Sequence, residues 1–183
     1  MRLSKTLTAG AVALTAALSL TACGGGDSGG GVSGGDKGSS ADSGLPKAST
    51  MAELQKFIVG TGAQCDELGP SDVVVMLDES RDPTWSIKER NVCDERRVLL
   101  LIDDMAKFQE ALAKVEAKSA RGKILVGQNF AITAFGRETG QLLVQGGLTR
   151  LSCNSRIRES LPSGFTAKEG LAKGCFTTSY LGE

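Results

Sequence analysis

The 183-residue sequence predicts an α+β domain with a small mixed or antiparallel sheet, helices packed mainly on one face, and two stabilising disulfides. Apolar runs of strand length occur between amphipathic stretches of helix length, which indicates strands interleaved with helices. Two of the apolar runs are separated by a short turn, a pattern typical of a hairpin. Four cysteines follow an N-terminal export signal, and an even number of cysteines in an exported chain predicts disulfides.

The first predicted helix spans about 51–62. Thr50 followed three residues later by Glu53 forms a capping box, in which each residue satisfies a free N–H group at the start of the helix. An apolar face at helical spacing follows, made by Leu54, Phe57 and Ile58. Gly62 marks the end of this helix.

Two apolar runs predict the first strands. Residues 72–77 contain three consecutive valines and are bounded by Gly69-Pro70 and an acidic loop. Residues 97–103 carry five consecutive apolar side chains, which favours a central strand buried on both faces.

A second helix is predicted over 104–118, with Asp103 or Asp104 as its N-cap. Its apolar stripe consists of Met105, Phe108, Leu112 and Val115. The side expected to face solvent carries Lys107, Glu110, Lys114 and Glu116. We interpret the stripe as core packing and not as a cofactor site.

The next two strands, 123–126 and 130–135, are predicted to form a hairpin through the short loop Gly127-Gln128-Asn129. Residues 140–151 then favour a helix on the spacing of their leucines, although the glycines in this stretch weaken that prediction.

The C-terminal region is predicted to hold a short helix and a last strand. Thr166 and Glu169 match a second capping box, and Gly174 suits a helix end, so a helix is expected over 167–173. Residues 176–181 are then expected to add an edge strand.

The first 22 residues have the layout of a secretory signal. Arg2 and Lys5 precede an apolar stretch from Leu7 to Leu20, which has only 14 positions. A membrane-spanning helix needs roughly 20 predominantly apolar residues. The segment 1–22 is therefore expected to be exported and removed.

The signal ends in Leu20-Thr21-Ala22-Cys23, which resembles the bacterial lipobox, the motif whose cysteine is lipidated before cleavage. This resemblance implies that Cys23 carries the lipid and anchors the chain to the outer face of the cytoplasmic membrane. Two or more acyl chains hold a protein durably on a bilayer without a transmembrane helix.

Residues 23–46 are interpreted as the lipidated cysteine and a disordered linker, because ten of the 21 residues from 24 to 44 are glycine. A flexible coil of this length spans about 25 Å. Residues 47–183 are long enough for a single globular extracytoplasmic domain.

The remaining cysteines, Cys65, Cys93, Cys153 and Cys175, are expected to form structural disulfides. Three pairings are possible, and local pairing of the first with the second and the third with the fourth is the simplest. A zinc site is disfavoured because the chain contains no C-x-x-C pair.

Composition excludes several function classes. Three of the 21 basic and three of the 21 acidic residues precede residue 47, which leaves 18 of each in the domain. This balance argues against nucleic acid as a partner. The chain has no histidine, which excludes Ser-His-Asp and Cys-His catalysis and histidine-ligated metals.

Three features resemble functional sites, but each favours a structural interpretation. The acidic residues Asp78, Glu79 and Asp82 lack calcium-loop spacing and suit a solvated turn. Asp103-Asp104 suits helix capping better than catalysis. Trp85, the one tryptophan, is expected to be partly buried in the core and not to be an exposed anchor for a ligand or partner.

Several segments together resemble lipoproteins and secreted proteins of actinobacteria that have no assigned activity. They are Cys65, Asn91-Val92-Cys93, the strand ending in Asp103-Asp104, the helix with Phe108, and the hairpin from Leu125 to Ile132. The likeness covers about 52–183 and implies an envelope location and this fold, without catalytic residues.

The favoured function is a binding or accessory module at the cell envelope. The expected partners are the membrane, through the lipid anchor, and an envelope protein or a small ligand, and no cofactor is expected. The alternative is an envelope hydrolase that works through paired carboxylates, which would require a pocket with two facing acidic residues.

Overall fold

The computed structural model describes residues 44–70, 81–94, 97–116, 123–133 and 135–182. The predicted signal peptide, Cys23, and the strand predicted over 72–77 lie outside these residues, as do Asp78 and Glu79. The backbone carbonyls of Leu45 and Pro46 accept hydrogen bonds from the side chain and the backbone N–H of Gln128, at 2.7 and 2.8 Å. The hydrogen-bonded fold therefore includes two residues of the predicted linker.

Four helices and eight strands are present in the described part of the chain. The helices are α1 (Met51–Gly60), α2 (Met105–Glu116), α3 (Arg137–Gln145) and α4 (Ser155–Glu159), and a 3-10 helical turn occupies Pro83–Trp85. The strands are β1 (Leu68–Pro70), β2 (Ile87–Cys93), β3 (Arg97–Ile102), β4 (Ile124–Val126), β5 (Phe130–Thr133), β6 (Thr149–Ser152), β7 (Lys168–Glu169) and β8 (Phe176–Thr178).

The strands form one sheet in the order β1-β2-β3-β5-β4-β6-β8-β7, and every neighbouring pair is antiparallel. The predicted hairpin is confirmed as β4 and β5, in which Leu125 lies opposite Ile132. The predicted last strand is confirmed in part as β8. It lies between β6 and β7, so β7 and not β8 is the edge of the sheet.

The central strand β3 is buried on both faces, as predicted. Val98, Leu100 and Ile102 pack with the apolar stripe of α2, while Leu99 and Leu101 pack with residues of α1 and α3. Side chains alternate along a strand, so a continuous apolar run contributes to two cores. The α+β class is confirmed. The helices, predicted to pack mainly on one face of the sheet, cover both faces, with α1 and α3 on one and α2 on the other.

Local capping signals set the start of two helices. The Thr50 hydroxyl accepts the N–H of Glu53 at 3.2 Å, and the Glu53 carboxylate accepts the N–H of Ser49 at 2.6 Å. Asp104, and not Asp103, caps α2, since its carboxylate accepts the N–H groups of Ala106 and Lys107 at 3.0 and 3.1 Å. The N-terminal ends of α1 and α2 are therefore capped by residues that the capping patterns predicted.

The predicted helix over 140–151 is wrong in its second half. Helix α3 begins earlier, at Arg137, and ends at Gln145, and residues 149–152 form β6. Gly147 has φ of +100°, a left-handed conformation that glycine adopts without strain. This residue turns the chain from α3 into the sheet.

The helix predicted over 167–173 is absent, and the segment contains β7 and a turn that leads into β8. Gln109 of α2 accepts the N–H groups of Leu171 and Ala172 through its side-chain oxygen, at 2.7 and 3.2 Å. In a helix, these backbone N–H groups would instead have donated to carbonyl groups of the same helix. The contact with α2 therefore overrides the local capping pattern.

Two disulfides join Cys65 with Cys93 and Cys153 with Cys175, as the local pairing predicted. The first connects the segment after α1 to the end of β2. The second connects the residue after β6 to the residue before β8, where Ser152 and Phe176 are already paired in the sheet. Both crosslinks thus join neighbouring segments of one fold.

Candidate binding groove

An apolar groove of about 650 Å³ lies between α1 and α3. We call it the α1/α3 groove. Its lining residues are Glu53, Lys56, Phe57, Gly60, Thr61, Leu142, Gln145 and Gly146. This volume falls within the roughly 300–1,000 Å³ that small-molecule sites usually have.

Close packing of the two helices forms the floor of the groove. A Cβ atom on Gly146 would lie 2.4 Å from Cγ2 of Thr61, a distance that only glycine avoids. The Thr61 hydroxyl donates to the carbonyl of Ile58 at 2.7 Å, which fixes the position of the Thr61 methyl group. Glycine at 146 therefore lets the end of α3 approach α1.

The apolar wall of the groove is held by the core. Phe57 is half-buried, and its ring packs against the buried ring of Phe130 with 5.7 Å between centroids and a tilt of 57°. Leu142 packs on the edge of the same core cluster. Both side chains are positioned before any ligand arrives, and such preorganisation lowers the cost of binding.

The rim of the groove is polar. Glu53 is already used by the cap of α1, because it accepts the N–H of Ser49. Lys56 is exposed and makes no ion pair within the described part of the chain. The groove thus combines an apolar interior with one accessible cation, and Gln145 supplies an amide on the opposite side.

A second groove, of about 520 Å³, lies on the other side of α3 and shares Gln145 with the first. Phe165 lies along it with 41% of its surface exposed, and its ring packs on Tyr180 with 5.0 Å between centroids. A smaller pocket of about 290 Å³ is lined by Lys47, Lys88 and Asp103, among others. None of these three cavities is lined by more than one acidic residue.

Of the acidic residues weighed from the sequence, the structure describes Asp82, Asp103 and Asp104, and no two of these line the same one of the three cavities. Asp103 lies at the small pocket, while Asp104 caps α2 and pairs with Lys107 at 3.6 Å. Asp82 accepts the N–H of Thr84 at 2.8 Å, and this hydrogen bond lowers the pKa of its carboxyl. Asp82 and Asp104 therefore have local capping roles that their positions explain.

Trp85 is a core residue, as predicted. Only 3% of its surface is exposed, and its ring meets that of Phe108 edge to face at 5.7 Å. The alternative of an exposed aromatic anchor is wrong. In the described part of the chain, the exposed large apolar side chains are Val59 and Phe165.

Glu116 was expected to face solvent, and that prediction is wrong. It is 5% exposed, and its carboxylate accepts hydrogen bonds from the Ser152 hydroxyl at 3.0 Å and the Cys153 N–H at 2.5 Å. Burial raises the pKa of Glu116, and these bonds and the charge of Arg150 offset only part of the increase. Glu116 lies four residues after Leu112 on the buried stripe, a spacing that the sequence already contained.

Arg150 shares this buried polar region. It is 8% exposed on β6, and burial lowers the pKa of its guanidinium while the charge of Glu116 opposes that change. Glu116 does not line any of the three cavities described above. We therefore interpret Glu116 as structural, because its hydrogen bonds to Ser152 and Cys153 join the end of α2 to the end of β6.

In the described ranges of the chain, no group of three or more Cys, Asp or Glu side chains is placed to hold a metal ion. Within the same ranges, none of the helices has the length and apolar character needed to cross a bilayer.

No family model, curated protein or solved structure matches this chain. The resemblance to actinobacterial lipoproteins stays a prediction from the sequence.

Proposed function

We propose that the chain is a lipid-anchored extracytoplasmic protein whose domain serves as a binding module on the outer face of the cytoplasmic membrane. Cys23 carries the anchor, and the glycine-rich segment after it is the tether. The observation that carries the binding role is the α1/α3 groove, which is apolar, preformed and open to solvent.

The groove supports binding more than catalysis. Its one acidic residue, Glu53, already accepts a hydrogen bond in the cap of α1, so it is poorly placed to act as a general base. A carboxylate hydrolase needs two acidic groups facing one substrate, and the three cavities described above offer no such pair. The hydrolase alternative therefore has no specific support from the described residues.

Anchoring is tested by replacing the lipidated residue. Cys23→Ala should shift the protein from the membrane pellet to the soluble or misprocessed fraction, while Ser28→Ala, in the predicted tether, should remain in the membrane. Protease added to intact cells should digest the anchored domain if it lies outside the membrane. Unchanged membrane retention of Cys23→Ala would overturn the anchoring proposal.

The binding role is tested by filling the groove. A Cβ atom on Gly60 has no neighbour within 4 Å, so Gly60→Phe should place a ring in the groove without a backbone clash. Gly69, in β1, has equally open surroundings, and Gly69→Phe is the matched control. Crosslinking in intact cells, read by mass spectrometry, should yield adducts that Gly60→Phe loses and Gly69→Phe keeps. Identical adducts in the unsubstituted protein, Gly60→Phe and Gly69→Phe would contradict a role for the groove in binding.

A further inference from the structure

The α1/α3 groove lies beside the point where the chain enters the domain. Pro46 is the last residue of the predicted tether, and its carbonyl accepts the N–H of Gln128 at 2.8 Å. A Cβ atom on Gly147 would lie 3.4 Å from Cγ of Pro46, so the Pro46 ring is next to this glycine. The adjacent residue, Gly146, forms the floor of the groove.

The length of the tether limits what the groove can meet. Twenty-two residues separate Cys23 from Pro46. As the coil that its composition predicts, this segment spans about 25 Å. A short flexible link raises the effective concentration of anything held in the same membrane, and it does nothing for a soluble ligand. Membrane constituents are therefore the molecules that this groove encounters most often.

The chemistry of the groove favours a hydrocarbon chain. The rings and methyl groups of Phe57, Leu142 and Thr61 form its interior, and these groups offer dispersion contacts and few hydrogen bonds. A sugar or a polar peptide would lose hydrogen bonds to water without replacing them. An acyl chain loses none, and the exposed ammonium group of Lys56 at the rim suits the phosphate of a lipid headgroup.

We infer that the α1/α3 groove binds one acyl chain of a membrane phospholipid, with the headgroup phosphate outside the groove near Lys56. The inference rests on the proposed anchoring at Cys23, because the tether is what places the groove at the bilayer. The domain then holds a lipid partly withdrawn from the outer leaflet.

The test uses the full lipidated protein, purified from membranes and reconstituted into phosphatidylcholine vesicles. These vesicles contain a small fraction of phosphatidylglycerol with a diazirine at the end of one acyl chain. Flotation first reports whether the protein is anchored. Illumination and mass spectrometry then locate the adducts, which are expected on the groove residues Phe57, Thr61, Leu142 and Gln145.

Filling the groove should remove these adducts. Gly60→Phe is expected to lower their yield about tenfold, a change equivalent to ~1.4 kcal/mol in affinity, and Gly69→Phe should leave the yield unchanged. The folding of Gly60→Phe is judged by the fluorescence of Trp85. If Gly60→Phe does not fold, Gln145→Trp replaces it as the variant that fills the groove, from the α3 side. Lys56→Glu should lower the yield for anionic phosphatidylglycerol more than for a probe based on phosphatidylcholine.

The possible outcomes separate the two proposals. Floating protein with groove adducts that the filling variants lose supports the inference. Floating protein with adducts elsewhere, with crosslinks only to another protein copy, or with no adducts overturns the lipid site and leaves anchoring intact. Protein that does not float overturns the anchoring proposal and, with it, the inference.

Discussion

The carboxylate of Glu116 accepts the backbone N–H of Cys153 at 2.5 Å, which joins the last residue of α2 to the segment that follows β6. The partner of Cys153 in its disulfide is Cys175, and both sulfur atoms lie within 3.7 Å of the Gln109 carbonyl oxygen of the same helix. Helix α2 is therefore held against the C-terminal strands by buried polar contacts at two positions.

Glu116 gives the stability of the fold a pH dependence of known sign. Burial raises the pKa of its carboxyl, so the folded state keeps a proton that the unfolded state loses above the ordinary value of about 4.3. The contribution of Glu116 to the free energy of unfolding should therefore be fully present below that value and be lost as pH rises through the raised pKa. Glu116→Gln keeps an acceptor oxygen without the buried charge and should remove this decrease.

Urea unfolding of both proteins at pH 4 and pH 7 measures the effect. Glu116→Ala serves as the contrasting variant, because it leaves the Cys153 N–H and the Ser152 hydroxyl without a partner. It should lower the free energy of unfolding by about 1–3 kcal/mol. If the alanine and glutamine variants were equally stable, the hydrogen-bonding role of Glu116 would be wrong.

Each disulfide should contribute about 3 kcal/mol to the free energy of unfolding, because it closes a loop of 28 or 22 residues in the unfolded chain. The paired replacements Cys65→Ala with Cys93→Ala, and Cys153→Ala with Cys175→Ala, isolate each crosslink without leaving a free thiol. Denaturant unfolding measures the loss. Peptide mapping without reductant checks the pairing, and a peptide linking Cys65 to Cys153 would contradict it.

The contact between Gly146 and Thr61 predicts a rescue experiment. Gly146→Ala introduces a Cβ atom 2.4 Å from Thr61 Cγ2 and should destabilise the fold by about 1–3 kcal/mol. Thr61→Ser removes that methyl group and keeps the hydroxyl bond to Ile58, so the double variant should recover most of the loss. Thermal unfolding of the unchanged protein, the two single variants and the double variant measures this double-mutant cycle. If the stability changes of the two single variants simply added in the double variant, the contact between Gly146 and the Thr61 methyl group would not be the cause of the loss.

The burial of Trp85 predicts a large stability effect and a spectroscopic one. Trp85→Ala removes a ring that packs edge to face on Phe108 and should cost about 3–5 kcal/mol. Phe165→Ala removes a partly exposed ring that packs on Tyr180 and should cost about 1 kcal/mol or less. Native Trp85 fluorescence should be blue-shifted and shielded from iodide. Strong quenching by iodide in the folded protein would contradict the core assignment.

Local sequence signals predicted several parts of this fold correctly. The start of α1 at Thr50 and of α2 at Asp104 follow from side chains that cap N–H groups two or three residues away. The β4–β5 hairpin follows from a short loop between two apolar runs. In each case the residues that determine the element are its near neighbours in the chain.

Other segments carried the same kind of signal and folded differently. Thr166 and Glu169 match a capping box, but Glu169 lies in β7 opposite Phe176 and pairs with Arg158. A Cβ atom on Gly170 would lie 2.7 Å from Oε1 of Gln109, so α2 packs directly on this turn. The free energy of these long-range contacts exceeds the small preference that a capping pattern supplies.

From the residues alone one can obtain the α+β class, the doubly buried strand β3 and the two capped helices. The local disulfide pairing was the simplest of three that the sequence allows, and lipidation at Cys23 stays a prediction. The sequence does not reveal the burial of Glu116, the strand β6, or the α1/α3 groove. Periodicity and capping depend on residues within a few positions of each other. A groove or a buried carboxylate depends on which distant surfaces meet, and only the packed chain brings Thr61 to Gly146 and Glu116 to Cys153.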